Sequence, residues 1–249
     1  MLSAALMSVL MLVLAEALRL TQHILRDTSG ASDANSEIQI ISSQISRDLV
    51  AGKLLEVRAQ NGPTSLVAPD GSALWMLSNV NPTTNQPVIR TDGTAFWQRN
   101  VLYYAVIPNN HNGLYGYNCT GGAGPNGHDD RCPHKLLLRK VIDNPPATNA
   151  VDENTLETII DPGIGAYLTQ PVGYNTSAML GSETGLQEVN ITGRRILGFR
   201  AEVVGNAVDV ELSVVSLRRA QAKVAIGTTS LYDTIYTYRA QMSYRPESI

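Results

Sequence analysis

Two cysteines, Cys119 and Cys132, bracket the run CTGGAGPNGHDDRC and are the first residues whose spacing points to chemistry. An even, nearby pair in an exported protein reads as a disulfide. Closing so short a loop contributes about 3 kcal/mol in the chain-entropy account. Metal is the competing reading, because His128, Asp129, Asp130, Cys132 and His134 lie close together. Zinc sites pair Cys or His at recognised spacings, and His128 to His134 does not match one. Asn126, Asp129 and Asp130 offer oxygens for calcium, yet the Asp-x-Asp-x-Asp-Gly loop is missing. The expectation is a disulfide, with no metal and no cofactor.

Other constellations carry less. Gly121-Gly122-Ala123-Gly124 has no Gly-Lys-Ser/Thr after it and opens no helix, so it cradles no phosphate. Gly163-Ile164-Gly165 reads as a turn. There is no Gly-x-Ser-x-Gly elbow and no His-Glu-x-x-His. The four His (His23, His111, His128, His134) are scattered. Asp152-Glu153 precede a possible helix, where they favour its N-terminus. Arg194-Arg195 and Arg218-Arg219 read as solvated strand ends. No catalytic residue is assigned, and the expectation is that the protein is not an enzyme.

Composition agrees with that. The 249 residues are 43% hydrophobic and 16% charged, with 20 Gly and 12 Pro. Length allows one or two domains, or one core with an appendage. A net charge of −3 offers no basic field for nucleic acid. The sequence reads as turn-rich, β-rich and extracytoplasmic.

The elements that would position these residues begin with the N-terminus. Met1–Ala15 (MLSAALMSVLMLVLA) carries no charge. At about 1.5 Å per residue it makes roughly 22 Å of helix, short of a roughly 30 Å hydrocarbon core. A cleaved signal, a buried core helix and a membrane helix lacking its first turns compete for it. Helix formers continue from Glu16 to Arg26, and Gly30 with its Ser/Thr neighbours is expected to interrupt. Ser32 or Asp33 then caps a second segment in which Ile38, Ile41, Ile45 and Leu49 fall inside an arc of about 80°. Gly52 is placed to stop it. A cleaved signal needs no such continuation.

An apolar stem running into an amphipathic helix and then a β-rich head resembles the type IV pilin-like proteins, most of all the minor pilins and J-type minor pseudopilins of type II secretion. Met1-Leu2-Ser3-Ala4-Ala5-Leu6-Met7-Ser8-Val9-Leu10 resembles the helix that follows the family's basic leader and Glu. Gln44-Ile45-Ser46-Arg47-Asp48-Leu49 resembles its helix end, and Asn100–Val106 with Lys135–Lys140 a strand pair of its head. The leader, its Gly, the Thr-Leu pair and the Glu are missing, so the sequence is expected to start at an internal Met or to be trimmed. About six more residues would add roughly 9 Å and complete a membrane span.

The remainder reads as strands and loops. Leu54–Arg58, Ala73–Val80, Pro87–Arg90, Thr94–Gln98 after an Asp92-Gly93 turn, Val101–Ile107 and Lys135–Val141 are strand candidates. Pro108–Pro133 is a long loop. Ile196–Val204 and Val208–Leu217 form a hairpin through Gly205-Asn206, and Tyr232–Tyr244 is a late strand. Val151–Ile160 is a possible short helix.

The expected fold is α+β and pilin-like, a long N-terminal helix packed on a mainly antiparallel β head. Residues 1–52 form the stem and amphipathic helix, and 53–249 the head. Leu2, Leu6, Val9, Leu10, Val13 and Leu14 are expected to face membrane or partner stems. Ile38, Ile41, Ile45 and Leu49 are expected to hold the helix to the head. The resemblance implies a non-catalytic subunit of a type IV pilus or type II secretion filament. Its partners would be other pilin or pseudopilin subunits and an inner-membrane assembly platform. The protein would sit in the inner membrane with a periplasmic or extracellular head, and at the cell surface once assembled. The alternative is an exported or membrane-tethered β-rich ligand-binding domain.

Overall fold

In the computed structural model the stripe Ile38, Ile41, Ile45 and Leu49 belongs to one continuous helix, α1 (Leu2–Val50). The structure describes residues 2–58, 73–81, 83–109, 135–143, 148–149, 151–154, 157, 163–170, 172–179, 181–217 and 235–245. The 49 residues of α1 reach roughly 74 Å at about 1.5 Å each. The interruption expected at Gly30 does not occur. A lone Gly costs a helix interior only about 1 kcal/mol, and the Thr28 hydroxyl just before it donates back to the Ile24 carbonyl at 2.7 Å. α1 stops where Gly52 turns back into a strand, so close to the helix that a Cβ there would collide with the Asp48 and Leu77 carbonyl oxygens.

Eight strands follow: β1 (Gly52–Arg58), β2 (Ala73–Ser78), β3 (Arg99–Pro108), β4 (Lys135–Ile142), β5 (Val172–Tyr174), β6 (Leu186–Val204), β7 (Ala207–Leu217) and β8 (Ile235–Tyr244). They form one sheet in the order β1-β2-β3-β4-β6-β7-β8, antiparallel throughout, with β5 parallel to the end of β3. The β6–β7 hairpin turns at Gly205-Asn206, with Gly205 at φ 62°. The strand expected at 87–90 makes only isolated bridges, Val80 to Pro87 and Ile89 to Ala95. The described part of 151–160 contains turns and no helix. β6 begins well before Ile196, so Arg194-Arg195 lies within a strand and not at its end. A register shift there, Leu137 facing Gly193 and Lys135 facing Ile196, accompanies Arg195 at φ 55°.

The pilin-like expectation of a helix laid on a β head is corrected. The molecule has a single N-terminal helix and one mostly antiparallel, nearly closed, barrel-like sheet. The second half of α1 packs against β6, β7 and β8, and also against β1 at the opposite end of the strand order. Register shifts in β1, β4 and β6 bend those strands and let the sheet curl. Such shifts leave no mark in hydrophobic periodicity.

Both faces of the central strands are buried. Leu74, Met76, Val101, Tyr103, Ala105 and Leu137 join Ile41, Ile45 and Leu49 in the inner core. Trp75, Leu102, Tyr104, Val106, Leu136 and Leu138 form a second core with Ile164, Tyr167 and Tyr174. Two-sided burial explains why β2, β3 and β4 read as unbroken apolar runs.

Helix and sheet approach closely at Gly193, where a Cβ would run into the Ile41 side chain. Gly193→Val should therefore destabilise the protein by about 1–3 kcal/mol. Adding Ile41→Val, which removes the Cδ1 nearest the new Cβ, should restore part of that loss in thermal unfolding of the detergent-solubilised protein. An unchanged melting temperature for the single variant would show that α1 is not seated there.

Candidate functional site

α1 has two unlike halves. Among the described side chains of the stem, Val9, Leu10, Val13 and Leu14 are each more than half exposed, as are Leu18, Leu20, Ile24 and Leu25. The backbone of Leu2 and Leu6 is helical, while their side chains lie outside the described residues. α1 is long and apolar enough to cross a membrane, and none of the stretch that meets that test is buried. Polar groups meet along the helix just past the apolar run, Glu16 lying 3.9 Å from Arg19 and His23 Nδ1 3.5 Å from Asp27.

The other half is seated by apolar and polar contacts together. Ile41, Ile45 and Leu49 are fully buried and Ile38 is half-buried. Asp48 continues the same stripe, one turn from Ile45, and is also buried. The Tyr103 hydroxyl donates to Asp48 Oδ2 at 2.5 Å, and Arg139 Nε donates to the same oxygen at 2.6 Å. Gln44 Nε2 approaches it at 3.4 Å. Burial lowers the Arg139 pKa, but the Asp48 charge and hydrogen bond, together with Tyr103 and Glu188, outweigh this and leave it above the ordinary value. Burial, reinforced by the Asp48 charge, pushes the Tyr103 hydroxyl well up, so it stays a proton donor. A carboxylate on an apolar stripe signals a buried partner, but its identity is not written in the sequence.

Beside this junction, between α1 and the inner faces of β3, β4 and β6, lies a cleft of about 540 Å³. Arg47, Arg99 and Arg139 line it, with the exposed Ile40 and the buried Val101 and Val141 as apolar neighbours. Asp48 and Asp143 back two of these cations from buried positions, Asp143 lying 3.4 Å from Arg99. Glu188, 45% exposed, is the one acid in the lining and sits 3.7 Å from Arg139 Nη1.

On the opposite face of β4, Lys140 is buried beneath the segment that carries the 3-10 turn Ile164–Tyr167. Its Nζ donates to the Tyr167 carbonyl at 2.8 Å, Thr169 Oγ1 at 2.9 Å and Glu183 Oε1 at 2.7 Å. Burial pulls the Lys140 pKa down, and the Glu183 contact only partly opposes it. Burial raises the Glu183 carboxyl, but hydrogen bonds from Lys140 and Thr169 outweigh it and hold it below its usual range. This cluster fastens the segment to the sheet.

Cys119, Cys132 and the His128–His134 group lie outside the described residues. Among the described residues, no group of three or more His, Cys, Asp or Glu could hold a metal ion.

Asp48→Ala should cost about 3–5 kcal/mol in urea unfolding, because it strands the buried Arg139 charge. Tyr103→Phe, which removes one donor, should cost about 1–3 kcal/mol. Glu183, lowered in the fold, contributes stability that is complete above the ordinary value near 4.5 and is lost as pH falls through its folded value. Protection of the Ile164–Tyr167 amides, measured as exchange relative to the intrinsic rate at each pH, should therefore fall in acid below about 4.5, and Glu183→Gln should flatten that response.

Comparison with protein-family models, with curated proteins and with solved structures found no match to this protein.

Proposed function

We propose that this protein is a non-catalytic structural subunit, anchored in the inner membrane by the bare half of α1, with its head on the periplasmic or extracellular side. The finer reading is a minor pilin or minor pseudopilin, working with other pilin-like subunits and an inner-membrane assembly platform. One observation carries it: an apolar helical half left exposed among the described residues continues unbroken into a half whose apolar stripe is buried against the head. Apolar side chains such as Leu10, Val13 and Leu14 are unstable in water and stable against lipid or equally apolar helices. The rigid continuation transmits the position of the stem to the head. The proposal rests on the stem and makes no use of a pilin-like arrangement of the head.

Leu10→Asp should cost about 2.5–3.5 kcal/mol of membrane insertion. The full-length wild type should resist carbonate extraction from membranes and co-purify with other pilin-like subunits, and the variant should lose much of both. Release of the wild type by carbonate, or its recovery without any such subunit, would overturn the reading.

A further inference from the structure

The cleft beside the helix junction is not used by the anchoring role, and its charges are arranged front to back. Arg47 is exposed, and its Nη2 donates to Gln44 Oε1 at 2.9 Å. It has no carboxylate partner among the described residues. Gln44 in turn reaches Asp48 at 3.4 Å, and Asp48 holds Arg139 at 2.6 Å. One amide and one carboxylate therefore link the two guanidinium groups, which open into the same cleft. Asp48 lies behind them, with 2% of its side chain exposed, so the surface a ligand meets is cationic. The lone opposing acid in the lining, Glu188, stands 3.7 Å from Arg139 Nη1, beyond hydrogen-bond length, and accepts instead from Asn190 Nδ2.

We propose that this cleft binds the carboxylate of a peptide segment, with Arg47 and Arg139 as its anion contacts and the exposed Ile40 beside its apolar side chain. Guanidinium groups suit this because their planar fork matches a carboxylate and remains charged at every physiological pH. Asn85, also in the lining, presents an amide that a peptide backbone can hydrogen-bond, while the Asn190 amide is turned to Glu188. The volume of about 540 Å³ falls in the range of small-ligand sites and admits a few residues. The carboxylate has two sources, the free C-terminus of a peptide or an Asp/Glu side group within it.

Fluorescence anisotropy on the full-length protein in detergent micelles separates these cases. The probes are a labelled tetrapeptide ending in a free leucine carboxylate, the same peptide amidated, and an amidated version with one internal aspartate. At least one carboxylate-bearing probe should bind tenfold or more tighter than the neutral amide, and weaken as salt rises. Preference for the first or third probe identifies the source. Arg47→Gln, at an exposed position, should remove most of that advantage, whereas Glu188→Gln should tighten binding about threefold by removing the competitor. Equal binding of the neutral amide, binding of none of the three, or an Arg47→Gln protein that binds like the wild type would each overturn the proposal.

Discussion

A buried carboxylate in the last turn of α1 sets the terms for the rest of the molecule. Asp48 sits near the negative end of the helix dipole, where an anion is disfavoured, and burial adds a desolvation cost. The Tyr103 hydroxyl and the Arg139 guanidinium, on two neighbouring strands, offset this. Sliding α1 by one residue would turn Asp48 by about 100° and leave two charges buried without partners. The apolar stripe tells the helix which side faces inward. The Asp48 contacts tell it where along the sheet to stop.

β4 carries that constraint through the sheet. Arg139 and Lys140 are adjacent, and strand alternation sends them to opposite faces. Arg139 holds the helix on the inner face, and Lys140 holds Tyr167, Thr169 and Glu183 on the outer one. Arg139 is matched by the buried Asp48 and Lys140 by the partly buried Glu183 with further oxygens, as taking a cation out of water requires. The central strands thus belong to two cores at once, and each core contributes to the position of the other.

The stem follows a different logic. Nothing in the described part of the head covers it, so its stability depends on what surrounds it. The unbroken helix makes the two halves mechanically one piece, because the single glycine at Gly30 does not break the hydrogen-bond ladder. A head fixed to its stem in one register can present a chosen side, including the Arg47 and Arg139 cleft, to whatever lies next to it.

Much of this was legible from residue order. The uncharged Met1–Ala15 run, the stripe from Ile38 to Leu49 and the stop at Gly52 are local patterns, and they mark a long helix and which of its faces is buried. Strand alternation and the Gly205-Asn206 turn mark β6 and β7, because a hairpin is a short-range object. What only the tertiary structure decided is long-range. The curl of the sheet comes from register shifts that depend on which strands pair, and it replaced the expected pilin-like head by a nearly closed barrel. The partners of Asp48 lie 55 and 91 positions away, at Tyr103 and Arg139. An acid on an apolar stripe shows from sequence alone that a partner must exist. Which cation it meets is settled only when distant strands are brought side by side.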